Sequence, residues 1–266
     1  MERLVRDGVN LYCREQGTGD PPLLFVHGWC CDNTHFQPQV DFFSRDHRCI
    51  AVDLRGHGES DKPEQDYTMA VFADDLAWLC AQLGVQKPVV IGHSMGGVVA
   101  LALAQRHPDS PSAVVLVDSP VLLPDALKPQ IAQVIAGLKS PAFLDVARGF
   151  VENAMFLPAS DPALKERIAG GMAGAAQRVM VSAMEQIFAF DSEAALAACR
   201  VPLLNLSAAA PLVDMARLRQ LRPEVVTGQT VGSGHFNQLE VPDQVNAMLA
   251  RFLETSVRAA ATAAAV

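Results

Sequence analysis

The sequence predicts an α/β fold in which a mostly parallel sheet is covered by helices on both faces. Short apolar runs rich in β-branched residues recur along the first 120 residues and again after residue 199. Segments with helical spacing separate these runs, and polar, glycine-rich turns follow several of them. Strands that alternate with helices in this way are typical of a parallel sheet. In such sheets, functional groups gather beyond the carboxyl ends of the strands.

The strands and helices are predicted in the following order. A hairpin over residues 3–14 turns at Asp7-Gly8, and strands follow at 22–27, 48–54, 89–91 and 113–117. Helices at 34–43, 69–83 and 98–105 alternate with these strands, and Thr68 caps the second of them. Later in the chain, strands at 202–206 and 224–231 alternate with helices at 212–221 and 243–253. The alanine-rich end from Ala259 is expected to fray.

Residues 121–198 differ in character from the segments on either side. Helical spacing dominates there, and prolines and a Gly-Gly pair divide the stretch into short helices. We interpret it as a helical cap that is inserted between two strands and lies over the functional site. The predicted organisation is an α/β core formed by residues 1–120 and 199–266, with the cap over 121–198.

Composition and charge exclude several classes of function. The net charge is −8 and lysine and arginine form no dense cluster, so neither nucleic acid nor an anionic membrane is an expected partner. No apolar run reaches the roughly 18 residues of a membrane span, and the first eight residues do not resemble a signal peptide. Six scattered cysteines without a Cys-x-x-Cys pair indicate buried, reduced thiols and no metal site. A cytoplasmic protein is therefore expected.

The residues Gly92-His93-Ser94-Met95-Gly96 fit the pattern Gly-x-Ser-x-Gly between a predicted strand and a predicted helix. A sharp turn at this place exposes the Ser94 hydroxyl above the sheet edge, and the following helix points its amide end at the serine. Ser94 is therefore the predicted nucleophile. An oxyanion formed there needs two backbone donors, for which we predict the amides of Met95 and Trp29.

A serine hydroxyl is a weak nucleophile until a nearby base takes its proton, and His235 is the predicted base. It lies in a glycine-rich loop after the last predicted strand, with a helix after it. The other histidines are weaker candidates. The side chain of His93 should point into the sheet, and His27 and His57 lie in tight turns that they are expected to brace.

In combination, His27-Gly28-Trp29, the loop at residues 53–60, the serine turn and Gly234-His235-Phe236 resemble the α/β-hydrolase superfamily over nearly the whole chain. The resemblance implies the α/β-hydrolase fold, with a mostly parallel eight-stranded sheet and a cap inserted between strands. It is strongest to the branch of esterases, lactonases, carbon–carbon hydrolases and cofactor-free haloperoxidases. Serine at position 94 argues against a haloalkane dehalogenase, whose family uses aspartate there.

The acid that completes the catalytic triad is where the sequence departs from the family. Ala210 stands at the position where the resemblance places an aspartate after the cap. Asp118, at the end of the strand that follows the nucleophile helix, is the favoured replacement, because one strand separates it from Ser94. Asp214 is the alternative acid, although capping a helix would also explain it. Asp191, or no acid at all, also remains open.

The predicted function is that of a serine hydrolase that cleaves carboxylic esters or lactones through an acyl-enzyme, without metal or cofactor. Apolar residues of the cap would bind an acyl or aromatic part of the substrate, and N-acyl-homoserine lactones fit this description. The candidate substrate-binding residues are Leu122, Leu123, Phe143, Phe156, Met184 and Phe188. A carbon–carbon bond hydrolase, a haloperoxidase or perhydrolase, and a binding module without catalysis are the alternatives. The chain is expected to act on a small molecule, as a monomer or homodimer.

Overall fold

An eight-stranded sheet runs through the computed structural model, which describes residues 2–260. The order across the sheet is β1-β2-β4-β3-β5-β6-β7-β8. The strands are β1 (Glu2–Arg6), β2 (Val9–Gln16), β3 (Leu23–Val26), β4 (Cys49–Asp53), β5 (Val89–His93), β6 (Ala113–Val117), β7 (Leu203–Ser207) and β8 (Val226–Gln229). Most of the alanine-rich end, residues 261–266, lies outside the described residues, so its expected fraying stays a prediction.

Register brings the carboxyl ends of the central strands to the same level. β1 and β2 form an antiparallel hairpin, and the six strands from β3 to β8 are parallel to one another. Val26 at the end of β3 pairs with Gly92 in β5, and His93 pairs with Val117 at the end of β6. The residues that follow these three strands therefore meet at one edge of the sheet.

Helices cover both faces of the sheet, as predicted. In β3, Leu24 faces a buried cluster on one side, and Phe25 faces a second cluster on the other. The side chains alternate because successive residues of a strand point to opposite faces. The core helices are α1 (Gln37–Phe43), α2 (Met69–Gln82), α3 (Met95–Arg106), α9 (Met215–Leu221), α10 (Asn237–Glu240) and α11 (Pro242–Phe252).

Between β6 and β7 the chain forms a short 3-10 helix at Asp125–Leu127 and five α-helices. These are α4 (Lys128–Leu138), α5 (Phe143–Ala154), α6 (Pro162–Ala173), α7 (Gln177–Ala189) and α8 (Ser192–Ala198). Helices α4, α5, α6 and α7 pack in pairs, whereas α8 packs against α3 of the core. Within residues 2–260, every helix is too short or too polar to cross a membrane.

The structure differs from the predicted elements mainly at their ends. The nucleophile helix begins at Met95, three residues earlier than its spacing indicates, because the turn at Ser94 leads directly into it. The helix predicted from residue 212 begins at Met215, because the Asp214 side chain accepts a hydrogen bond from the Arg217 amide and caps it. The first part of the helix predicted at 34–43 is a 3-10 turn, Asn33–Phe36.

Candidate active site

Ser94 occupies a sharp turn between β5 and α3. Its backbone has φ = 53° and ψ = −119°, a conformation that residues other than glycine rarely adopt. A Cβ atom added to Gly92 would clash with the backbone of Gly96, and one added to Gly96 would clash with the carbonyl of Val26. The two glycines therefore let the strand, the turn and the helix approach closely enough to hold Ser94 in this strained geometry.

Asp118 and His235 are joined by a short hydrogen bond inside the protein. Nδ1 of His235 donates to Oδ2 of Asp118 at 2.7 Å, and only 8% of the His235 side chain and 2% of that of Asp118 are exposed. The second carboxylate oxygen of Asp118 accepts the backbone N–H of Ala208 at 2.8 Å. With its proton held on Nδ1, the imidazole keeps Nε2 as the basic nitrogen.

The two other aspartates that the sequence left open lie elsewhere. Asp214 caps α9 by accepting the amide of Arg217 at 2.9 Å. Asp191 caps α8 by accepting the amide of Ala194 at 2.9 Å. Of the three candidates, the structure brings only Asp118 into contact with His235.

The backbone of His235 is held from both sides. Its N–H donates to the carbonyl of Met155 in the cap at 2.7 Å, and its carbonyl accepts Nε2–H of His93 at 2.9 Å. Glu240 adds a third connection, because one carboxylate oxygen accepts the Gly234 amide at 2.9 Å and the other accepts the Ser160 hydroxyl of the cap. The loop that carries His235 is therefore fixed by core and cap together.

The remaining buried histidines near the sheet edge are neutral and brace backbone. Burial lowers the pKa of His27 to about 4, lowers that of His57 to about 3, and holds that of His93 well below its usual range. His27 donates from Nδ1 to the carbonyl of Gly28 and accepts the Leu54 amide on Nε2. These contacts match the bracing role that the turns suggested.

The predicted oxyanion donors lie in the two turns that adjoin the serine. Met95 is the first residue of α3, and the first amides of a helix have no intrahelical acceptor. Trp29 follows β3, and a Cβ added to Gly28 would lie 3.2 Å from Cβ of Ser94, so the two turns are in contact. The Trp29 indole donates to the carbonyl of Met180 in α7 at 2.9 Å, which ties this turn to the cap.

Ser94, Asp118, His235 and Trp29 line one cavity of about 360 Å³, here called the site cavity. Four of the six candidate substrate-binding residues also line it: Leu123, Phe156, Met184 and Phe188. The other two lie elsewhere. Leu122, at φ = 56°, turns away and lines a neighbouring cavity, and Phe143 packs against the buried core cluster.

Cap residues that sequence reasoning missed complete the site cavity. They are Leu127, Gln130, Ile131, Phe150, Ala154, Met155, Leu157 and Ile187. Helical spacing within α4, α5 and α7 marks many of them as one face, but it does not say whether that face meets the core or a cavity. Among the lining residues, all of which belong to the described part of the chain, none is lysine or arginine.

Comparisons with known proteins agree with this architecture. Residues 21–161, about half of the chain, match the family described as the alpha/beta hydrolase fold. The 2-(acetamidomethylene)succinate hydrolase of Mesorhizobium japonicum is 38% identical over 139 residues, which are 52% of this chain and 49% of that protein. The bifunctional esterase/perhydrolase of Acinetobacter calcoaceticus is 35% identical over 119 residues, 44% of this chain and 43% of that protein.

The chain thus spans about half the length of the curated relatives it matches. A solved structure gives wider coverage. The thermophilic esterase of Thermogutta terrifontis superposes with a TM-score of 0.83 at 26% identity, over 96% of this chain and 98% of the esterase. The similarity in structure therefore extends over the helices between β6 and β7 as well as over the sheet.

Proposed function

The chain belongs to the alpha/beta hydrolase fold family, and from this premise we propose that it is a serine hydrolase of carboxylic esters or lactones. One observation carries the proposal. Ser94 lies in a strained turn on the same cavity as His235, and the imidazole of His235 is bonded to the buried carboxylate of Asp118. A nucleophile, a base and a group that orients the base are the parts that acyl transfer requires.

The proposed reaction has two steps. Oγ of Ser94 attacks the substrate carbonyl while Nε2 of His235 takes the hydroxyl proton, and the amides of Met95 and Trp29 stabilise the oxyanion. His235 then gives the proton to the leaving alcohol, which departs and leaves an acyl-enzyme. Water, deprotonated by His235, attacks the acyl carbon and releases the acid, which regenerates Ser94.

The lining of the site cavity favours an uncharged substrate with an apolar part. The cap contributes mostly aliphatic and aromatic side chains, and no lysine or arginine from the described residues lines the cavity. A buried carboxylate without a cationic partner costs free energy, so a dicarboxylate would bind poorly there. This argues against the succinate-type substrate in the name of the Mesorhizobium relative, and against carbon–carbon hydrolysis of an anionic diketone.

Perhydrolysis is the second candidate, because the Acinetobacter relative is named an esterase/perhydrolase. Hydrogen peroxide would replace water in the second step and release a peracid from the same acyl-enzyme. Peroxide-dependent halogenation by the released peracid would then accompany esterase activity. The test is bromination of a chromogenic acceptor in the presence of acetate, bromide and hydrogen peroxide, compared between wild type and Ser94→Ala.

Esterase activity is tested with p-nitrophenyl butyrate and with an alkyl fluorophosphonate, which phosphonylates active serines with loss of fluoride. We expect hydrolysis and labelling by wild type, loss of both in Ser94→Ala, and no change in Ser110→Ala. Ser110 is a suitable control because it lies in the loop between α3 and β6, at the opposite edge of the sheet. Labelling that persists in Ser94→Ala would overturn the assignment of the nucleophile. Folded protein without activity on any ester or lactone would refute the proposed function.

A further inference from the structure

A second cavity of about 610 Å³ adjoins the site cavity, and it is here called the outer cavity. It is bounded by the loop at residues 120–125, helix α4, the end of α7, and the first turns of α8 and α9. It does not contain Ser94, Asp118 or His235, so nothing in the proposed mechanism uses it.

The two cavities share one apolar wall. The residues that line both are Pro120, Leu123, Ile131, Ile187 and Phe188. Four of them, Pro120, Leu123, Ile131 and Phe188, are only partly buried, so apolar surface is exposed on the boundary between the cavities. Burial of this surface would favour an apolar ligand segment that crosses from one cavity to the other.

The part of the outer cavity that the site cavity does not share carries an excess of negative charge. It has four carboxylates, from Asp125, Asp191, Glu193 and Asp214, and two cations, Lys128 and Arg217. Both cations are already paired, Lys128 with Asp125 and Arg217 with Glu193. An anionic group there would therefore meet uncompensated like charge, whereas an uncharged polar group would not.

From this arrangement we infer that the outer cavity is a subsite for the distal end of an elongated substrate. The reacting ester or lactone carbonyl lies at Ser94, an apolar chain crosses the shared wall, and an uncharged polar end occupies the outer cavity. This inference rests on the proposed function, which it extends to medium- and long-chain substrates without a distal carboxylate or phosphate.

Binding to Ser94→Ala tests the inference independently of turnover. The probes are methyl 10-hydroxydecanoate, monomethyl sebacate with a carboxylate at the same distance, and methyl butyrate, each measured by titration calorimetry. We expect the hydroxy ester to bind at least tenfold more tightly than either of the others. Equal affinity for the hydroxy ester and the sebacate, or for the hydroxy ester and the butyrate, would overturn the inference.

A pair of tryptophan substitutions in α4 locates the distal end. Ala132 is exposed and lines the outer cavity but not the site cavity. Ala136 is also exposed on the same helix and lines neither cavity. We expect Ala132→Trp, in the Ser94→Ala background, to weaken binding of the hydroxy ester at least tenfold relative to methyl butyrate, and Ala136→Trp to leave that ratio unchanged. An unchanged ratio in Ala132→Trp would refute the subsite.

The same substitutions in the active chain separate this inference from the proposed function. If wild type hydrolyses short esters through Ser94 but the Ala132→Trp substitution changes neither binding nor the ratio of long- to short-chain kcat/KM, the subsite alone is wrong. If no ester is hydrolysed but the hydroxy ester still binds in a manner sensitive to Ala132→Trp, the subsite stands and the proposed reaction is wrong.

Discussion

Replacing Asp118 by asparagine should inactivate the enzyme through the tautomer of His235. The carboxylate accepts two N–H groups, from the Ala208 backbone on Oδ1 and from Nδ1 of His235 on Oδ2. An amide has only one acceptor oxygen. Because the backbone amide of Ala208 can only donate, the oxygen of the new side chain will turn toward it. The new NH₂ group then faces His235 and donates to Nδ1, which moves the imidazole proton to Nε2.

The size of the effect follows from this change. With a proton on Nε2, His235 cannot accept the proton of Ser94, and the general-base step is lost. A wrong tautomer in a triad of this kind costs about 10⁴-fold in kcat, or roughly 5.4 kcal/mol in the activation barrier. The fold should survive, because the Ala208 amide keeps its acceptor and the substitution nearly conserves volume.

The assay is kcat and KM for p-nitrophenyl butyrate in Asp118→Asn and in Asp214→Asn, with circular dichroism to verify folding. Asp214 is the matched control, since it accepts only a capping bond from the Arg217 amide at the start of α9. Asparagine keeps an oxygen that accepts this amide, so we expect its substitution to change stability by less than about 1 kcal/mol and kcat less than twofold. An Asp118→Asn enzyme that retains more than a tenth of wild-type kcat, or a crippled Asp214→Asn enzyme, would refute the reasoning.

Three further predictions concern the supports of the site. Glu240→Ala removes the acceptor of the Gly234 amide and should lower kcat about tenfold with little change in KM. Glu240→Gln keeps an oxygen that can accept this amide and should retain most activity in the same assay. Two nitrogens of the buried Arg55 guanidinium bind the carboxylate of Asp75 at 2.6 Å. Asp75→Asn removes this carboxylate and should lower the free energy of unfolding, measured in urea, by about 3–5 kcal/mol. Burial lowers the pKa of His27 from 6.5 to about 4, so between these pH values the unfolded chain binds a proton that the folded chain does not. The free energy of unfolding should therefore fall as the pH decreases through this window. The slope of this fall should be shallower in His27→Gln.

The sequence predicted the parallel sheet and the turn at Ser94 because each signal there is local. The alternation of apolar runs and helices fixes a parallel sheet, and the spacing of Gly92 and Gly96 around Ser94 indicates a turn that needs glycine at both places. Asp118 could be favoured without coordinates, because the ends of adjacent parallel strands must lie close together. Its hydrogen bond with His235 could not be predicted, because that bond depends on the position of a loop near the end of the chain.

The cap was predicted as a helical insertion but not in detail. Leu122 and Leu123 are adjacent and equally apolar, yet with a backbone φ of 56° at Leu122 only Leu123 reaches the site cavity. Phe143 fits a helical face as well as Phe150 does, but only Phe150 lines the site cavity. Helical periodicity predicts which residues share a face of a helix. The orientation of that face is set by packing between helices that are distant in sequence.

Two hydrogen bonds between core and cap limit how such a protein can be recombined. The cap supplies main-chain carbonyls, those of Met155 and Met180, to the backbone of His235 and the indole of Trp29. A foreign cap that buried these donors without an acceptor would cost about 1–3 kcal/mol for each of them. A chimaera that carries a relative's cap on this core should therefore be active only where the foreign backbone offers carbonyls at these two points, whatever side chains it brings to the substrate.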